Sequence, residues 1–199
     1  MTASPEHARD RDAGEDAIAI ARSLDDPQEF AVIFERHFDE IHRYLARRHP
    51  READELAADV FTAAFDSRSR YRAIGGSARP WLYGIASNLL AKRRRSEQRA
   101  LRAHARAGGR REQAHDEYEA ARERADAQEL SAAVADALSH LRAPERDTLL
   151  LYALSDLSYE EVAFALEVPI GTVRSRLARA RARASRDLAG LIEEEPSHA

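Results

Sequence analysis

The sequence has 199 residues, of which 44% are hydrophobic and 33% are charged, and this is enough for one or two domains with hydrophobic cores. It has no cysteine, which excludes disulfides and thiolate metal sites, and no apolar run near the ~20 residues that a membrane helix needs. A formal net charge of −4 argues against a general DNA-coating protein, because phosphate neutralisation dominates nonspecific DNA affinity. The N-terminal stretch lacks an apolar signal core, so we expect a cytoplasmic protein.

We predict an all-α protein, because only 8 glycines and 7 prolines interrupt the chain and no alternating strand pattern of useful length is present. Two stretches lack the apolar anchors of a packed domain: a charged N-terminal tail, which we expect to be mobile, and a flexible linker rich in alanine, arginine and glutamate. Two small helical domains lie on either side of the linker. The predicted division is a tail at 1–25, a domain at 26–98, the linker at 99–128, a domain at 129–191 and an acidic tail at 192–199.

The first domain opens with two amphipathic helices. The tetrapeptide DPQE at 26–29 supplies a cap, a first-turn proline and a capping acid. Apolar residues, Phe34 among them, then recur at helical spacing from Phe30 to Leu45 and predict a buried stripe. A second helix covers 54–65, and its outer face carries three acids. These acids are Asp54, Glu55 and Asp59.

A basic loop, DSRSRYRAIGGSARP, separates these two helices from a third. The loop combines arginines with Tyr71, and an aromatic ring among cations suits unpaired bases because any base can stack on a ring. Trp81 begins the third helix, WLYGIASNLLAKRRR, and has the spacing of a core residue, so Tyr71 is the better stacking candidate. Part of the cationic run that ends this helix also suits the helix dipole.

The second domain ends in a helix-turn-helix pattern, in which the second helix lies in the DNA major groove. Ser158 and Glu161 form a capping box that starts a short helix, and 167–169 leave room only for a tight turn. The next helix has an apolar stripe from Val173 to Leu191, and arginine covers most of its remaining surface. Like charges three and four residues apart cost stability, so this helix suits a polyanion. The alternative is a solvated basic face on a bundle helix.

In this order, the motifs resemble a bacterial RNA polymerase sigma factor of the extracytoplasmic-function (group IV) type. The segments FERHFDEIHRYLARR, ADELAADVFTAAF and GGSARPWLYGIASNLLAKRRR are similar to sigma region 2. The segment LRAPERDTLLLYALSDLSYEEVAFALEVPIGTVRSRLARAR is similar to sigma region 4. The resemblance implies a region 2 helical bundle and a region 4 helix-turn-helix joined by the linker. It also implies a transcription initiation factor that directs core RNA polymerase to specific promoters.

The resemblance further implies three sets of site residues. The acidic helix of region 2 would bind a coiled coil of the largest polymerase subunit, through Asp54, Glu55 and Asp59. The basic loop and the third helix would melt and hold the unpaired minus-ten element, through Arg70, Tyr71, Arg72, Arg79, Asn88, Lys92 and Arg93. The recognition helix would read the duplex minus-thirty-five element, through Thr172, Arg174, Ser175, Arg176, Arg179 and Arg181.

The implied partners are core RNA polymerase, promoter DNA and an anti-sigma factor, and we expect neither a cofactor nor a metal. A stand-alone helix-turn-helix regulator is the main alternative, but such proteins usually dimerise, and the sequence has no evident dimerisation helix. An enzyme is not expected. His37, His42 and His49 are poorly spaced for a shared metal, and no phosphate loop or nucleophile elbow is present.

Overall fold

The structure is a computed structural model that describes the backbone of residues 5–74, 76–106 and 134–193. Its described side chains are those of 14–74, 76–100 and 134–187. The chain forms two compact units, one of Met1–Arg93 with Leu150–Val173 and the other of Arg94–Leu149 with Arg174–Ala199. The domain boundaries expected from the sequence stay predictions.

Every regular element in the described residues is helical, which confirms the predicted all-α class. The single β feature among them is an isolated bridge between Ile74 and Ser77 in the basic loop. Three short 3-10 turns, at Pro27–Phe30, Pro50–Glu52 and Arg68–Arg70, flank the longer helices. The α-helices are α1 Pro5–Arg22, α2 Ala31–Ala46, α3 Ala53–Ser67, α4 Arg79–Arg106, α5 at 134–139, α6 Ala143–Ser155, α7 Tyr159–Ala165 and α8 Ile170–Glu193.

Helix α1 occupies most of the segment 1–25, for which the sequence predicted a mobile tail. Three residues of α1 are buried, Asp16, Ala19 and Ile20, and Ser23 just after the helix is buried as well. They follow the i, i+3, i+4, i+7 spacing of a helix face. Two of the four are polar and one is alanine, so the face carries little of the apolar signal by which such stripes are recognised.

The first unit packs α2, α3 and α4 around a shared core. The Tyr44 and Tyr83 rings meet edge to face with centroids 5.1 Å apart, which is a favoured aromatic geometry. Full burial of each aliphatic core side chain contributes roughly 1.5–3 kcal/mol. Fully buried members of this core are Ile33, Ile41, Leu45, Val60, Leu82 and Leu90.

Helix α4 is longer than the sequence predicted. It runs to Arg106, so the first eight residues of the predicted linker, 99–106, continue the helix. The rest of that linker, 107–128, lies outside the described residues, and so does most of the acidic tail. Pro80 lies in the first turn, where a missing backbone N–H is no loss to the helix.

The helix-turn-helix forms as predicted. Ser158 Oγ accepts from the Glu161 backbone N–H at 3.2 Å, and Glu161 Oε2 accepts from the Ser158 N–H at 2.7 Å, so both bonds of the capping box are present. The turn closes through Glu167, whose φ of 53° is in the left-handed region, and through a bond from the Val168 N–H to the Ala163 carbonyl. Helix α8 begins directly after Pro169.

The second unit contains the length of α8 that carries most of its arginines. Leu177 and Ala180 from α8 are buried in it, together with Ala137 and Leu141. These residues confirm the first half of the predicted α8 stripe within the described part of the chain. The side chains of Leu188 and Leu191, which belong to the second half, are outside it.

Candidate nucleic-acid interface

The arginines of α8 form an exposed positive ridge. Four positions that recur three or four apart share one face, and Arg174 and Arg181 lie seven apart on a flanking face. Arg174, Arg179 and Arg181 are exposed, whereas Thr172, Ser175 and Arg176 are half-buried. The four positions on the shared face are Thr172, Ser175, Arg176 and Arg179.

One arginine of the ridge also stabilises its own unit. Arg179 Nε donates to Oε1 of the buried Glu145 at 2.9 Å, yet 59% of the Arg179 side chain remains exposed. A buried carboxylate needs such a partner, because an unpaired buried charge is costly. Arg179 therefore combines an internal ion pair with a solvent-facing position, and its substitution would disturb both.

The basic loop presents its arginines but not its tyrosine. Arg70 and Arg72, which the resemblance implies as DNA contacts, are exposed. Tyr71, predicted as the stacking residue, is half-buried instead, and its ring packs against Trp81 with centroids 5.0 Å apart. Tyr71 Oη is buried and has no hydrogen-bond partner among the described residues. Burial, helped by the charge of Asp16, raises the pKa of Tyr71 to about 12.

One face of helix α4 continues this surface as a row of four residues, called here the α4 column. Trp81, Ile85, Asn88 and Lys92 follow one another at spacings of four, three and four, so they share one face. Asn88 and Lys92 are exposed, and Trp81 and Ile85 are half-buried. Arg93, also predicted to contact DNA, lies beside this column and pairs with Glu52 at 2.6 Å.

Arg79 is the predicted DNA contact whose position differs most from the expectation. Its Nε donates to both carboxylate oxygens of Glu40, at 2.9 and 3.2 Å, and its side chain is mostly buried. The guanidinium is thus held inside the first unit and does not lie on the basic surface.

The acidic face of α3 has an aromatic border that the sequence did not predict. Glu55 and Asp59 are exposed, and the equally exposed Asp54 accepts a 2.8 Å hydrogen bond from His42 Nε2. The Phe38 ring stacks on His42 at 5.6 Å. Phe34, expected in the core, is 41% exposed and contacts Phe38 at 4.9 Å. Exposed aromatic side chains are enriched at protein–protein interfaces.

A buried cluster of charged side chains links α1, α2 and the start of α4. Asp16 is fully buried, and its Oδ2 accepts from His37 Nε2 and from the Ala78 backbone N–H, each at 2.8 Å. Its Oδ1 accepts from Arg36 Nη1 at 2.5 Å. His37 Nδ1 lies 3.0 Å from Glu40 Oε1, and Glu40 in turn holds Arg79.

Contacts within the cluster shift the pKa values of Asp16 and His37 in opposite directions. Burial alone would raise the pKa of Asp16, but hydrogen bonds from His37, Ala78 and Arg36 outweigh it and hold that pKa below 3.8. Burial alone would lower the pKa of His37, but bonds and attraction to Asp16 and Glu40 outweigh it and raise that pKa above 6.5. Both shifts favour the charged form of the group concerned.

The stability of the protein should depend on pH through His37. Because the folded-state pKa of His37 lies above the unfolded value of 6.5, its contribution is complete below pH 6.5 and is lost as pH rises through the folded pKa. The charged groups that face His37 or hold its partners are Asp16, Glu40, Arg36 and Arg79. We expect the urea midpoint of the wild type to fall between pH 6 and pH 9 more steeply than that of His37→Gln. Parallel pH profiles would contradict this assignment.

No group of three or more His, Cys, Asp or Glu side chains suited to holding a metal ion occurs among the described residues. Within the same residues, no helix combines the length and the apolar character required for a bilayer crossing. Fold and surfaces together define an all-helical protein with a helix-turn-helix and a second cationic surface on a separate loop and helix.

Comparison with known proteins extends this description. Residues 33–100 match the family "Sigma-70 region 2", and residues 131–183 match "Sigma-70, region 4". The chain belongs to the sigma-70 family of RNA polymerase sigma factors, in its extracytoplasmic-function group.

Several curated relatives are similar over much of the chain. It is 32% identical over 176 residues to the ECF RNA polymerase sigma factor SigM of Mycobacterium tuberculosis, covering 87% of this chain and 84% of SigM. It is 37% identical over 132 residues to the ECF RNA polymerase sigma factor SigC of the same species, covering 65% of this chain. That match spans 66% of the length of SigC, slightly less than two thirds.

Two solved structures share the fold. CnrH in complex with the cytosolic domain of CnrY has a TM-score of 0.57 and 22% identity, covering 92% of this chain and 99% of that one. The sigma factor RpoE in complex with the anti-sigma factor NepR from Bartonella quintana has a TM-score of 0.53 and 24% identity, covering 83% of this chain and 97% of that one.

Proposed function

We propose that the protein is a transcription initiation factor that binds core RNA polymerase and directs it to specific promoters. The observation that carries this proposal is the presence of two cationic surfaces, the α8 ridge and the loop–α4 column, in a chain that matches both sigma regions. It has no catalytic task of its own in this proposal, and it works in the cytoplasm with the polymerase.

The α8 ridge reads the duplex minus-thirty-five element. Residues near the start of a recognition helix reach base edges, so Arg174 and Ser175 are placed for base contacts and Thr172 for a phosphate. Arginine pairs bidentately with guanine, which gives Arg174 the largest expected share of sequence readout. Arg181, two turns further along, is placed for the phosphate backbone, as is Arg176.

The loop–α4 column holds the melted minus-ten element. Arg70 and Arg72 are exposed at the loop, and Asn88 and Lys92 are exposed on the helix, so the four can bracket a single strand. Tyr71 contributes to this surface through its ring contact with Trp81, as part of a stacking platform. Arg93 adds charge at the far end, where it already pairs with Glu52.

The acidic face of α3 binds the largest polymerase subunit. Asp54, Glu55 and Asp59 are exposed and supply negative charge, and the border formed by Phe34 and Phe38 supplies apolar contact area. Such a combination fits a partner surface that mixes cations with apolar side chains.

An anti-sigma factor is a further proposed partner. The structures of CnrH and of RpoE that share the fold are complexes, one with the cytosolic domain of CnrY and the other with the anti-sigma factor NepR. A protein that covers either cationic surface or the acidic face would keep this chain off the polymerase or off the promoter.

Run-off transcription with core RNA polymerase on genomic fragments tests the proposal. We expect new start sites that appear only when the protein is added. Absence of any new start site, together with tight operator binding by a dimer of the free protein in a gel shift, would instead identify a stand-alone regulator.

A further inference from the structure

The part of the basic loop from Tyr71 to Ser77 contacts the first turn of α4 at both of its ends. At one end, the Tyr71 ring packs on Trp81. At the other, the Ser77 Oγ accepts from the Arg79 backbone N–H at 3.2 Å, and the Ile74–Ser77 bridge closes a turn in which Gly76 has a φ of 80°. The exposed residues between these ends, Arg72 among them, are therefore presented from a fixed base.

The fixed base itself rests on a carboxylate that is distant in sequence. Asp16 Oδ2 accepts from the Ala78 N–H at 2.8 Å and lies 3.5 Å from the Ser77 hydroxyl. Ala78 immediately precedes α4, and its carbonyl accepts the first bond of that helix, from the Leu82 N–H. A negative charge at this point satisfies an N–H that has no partner within the helix and suits the helix dipole.

A packing role alone does not account for an ionised side chain at this position. Removing a carboxylate from water is costly, and an apolar residue would fill the same space without that cost. Asp16 is instead surrounded by directed donors, from Arg36, from His37 and from the loop. Glu40, on the other side of His37, holds Arg79 in the first turn of α4. The cluster thus specifies one position of the loop relative to α2 and α4.

We propose that Asp16 is a positioning residue for promoter opening: helix α1 uses it to hold the base of the minus-ten loop. Arg79 belongs to the same cluster, and its role is to bind Glu40 and not to contact DNA. This inference rests on the function proposed above. It makes α1, which precedes the matched region 2 segment, part of the apparatus that captures the unpaired strand.

The test compares Asp16→Asn with Glu15→Gln in the full chain with core polymerase. Glu15 is adjacent on α1 and also pairs with Arg36, at 2.8 Å, but its side chain is 62% exposed and this pair joins α1 to α2 and not to the loop. Opening is followed by permanganate reactivity of unpaired thymines at a promoter found by run-off transcription. Core binding is followed by fluorescence anisotropy of the labelled protein. Circular dichroism verifies folding at the assay temperature.

We expect Asp16→Asn to reduce the opened fraction at least tenfold with core binding unchanged, and Glu15→Gln to stay within twofold of the wild type. Normal opening by Asp16→Asn, or equal losses in both variants, would overturn the inference while leaving the proposed function intact if the wild type opens the promoter. A wild type that opens no promoter would instead reject the proposed function.

A second variant covers the case in which Asp16→Asn does not fold. Glu40→Gln removes the charge that holds Arg79, from a side chain that is 24% exposed and therefore better tolerated. We expect the same selective loss of opening, with binding to core polymerase retained. A folded Glu40→Gln protein that opens the promoter at the wild-type level would overturn the inference.

Discussion

Arg174→Ala should reduce transcription from a promoter that depends on its minus-thirty-five element by roughly 5- to 150-fold, since loss of one bidentate base contact costs about 1–3 kcal/mol. Arg174 is exposed near the start of α8, so the change leaves the buried stripe of Val173 and Leu177 intact. It should also relax the base preference at one position. Run-off transcription on templates that vary this element, one base pair at a time, measures both effects.

Arg183→Ala is the matched control, because Arg183 is an exposed arginine on the same helix more than two turns further along. We expect a small loss that is the same for all template sequences, as for a phosphate contact. Arg179→Ala is a poorer choice, because it would leave the buried Glu145 without its ion-pair partner. Equal activity of Arg174→Ala and wild type on every template would rule out the proposed reading face.

The double variant Glu55→Lys, Asp59→Lys should weaken binding to core RNA polymerase by about tenfold or more, because charge reversal puts like charges together across the interface. Both residues are exposed on α3, so we expect the thermal unfolding midpoint to change little. The loss should shrink as salt is raised, since exposed charges are screened. Fluorescence anisotropy of labelled protein titrated with core polymerase, at two salt concentrations, measures the effect.

Asp25→Lys is a single charge-reversal control away from the acidic face, because Asp25 is exposed in the turn after α1 and lies outside both α2 and α3. It should bind core polymerase as the wild type does. A companion variant, Phe34→Ser, tests the aromatic border and should weaken binding without the salt dependence. If the double variant binds core polymerase as tightly as the control, the acidic face is not the polymerase-binding surface.

The features that were predictable from sequence are those with a strong local signal. The capping box at Ser158 and Glu161, the tight turn and the apolar stripe of α8 each depend on residues a few positions apart, so sequence spacing specifies them. The same spacing predicted the arginine ridge, because the arginines occupy the helix positions that lie outside the buried apolar stripe.

Features that depend on distant partners were not predictable in the same way. Arg79 and Tyr71 have the residue types of a nucleic-acid surface, but Glu40 holds Arg79 inside the unit and Trp81 holds the Tyr71 ring in a half-buried position. The sequence indicated at most one or two helical turns of α1, over 17–24, because the buried face of the helix includes Asp16. This carboxylate becomes tolerable only when Arg36, His37 and the loop supply donors. A search for acids at helical core spacing would have suggested the helix.

DNA affinity measured with and without core polymerase tests the whole account most directly. A fluorescent promoter fragment is titrated with the free protein and with the assembled holoenzyme, next to a scrambled fragment, at low and physiological salt. We expect weak, salt-sensitive and unselective binding by the free protein, because two small cationic surfaces act independently, and selective binding at least 100-fold tighter once the polymerase holds both in place. Tight and selective promoter binding by the free protein, unchanged by core polymerase, would contradict the claim that the two surfaces need the polymerase to act together.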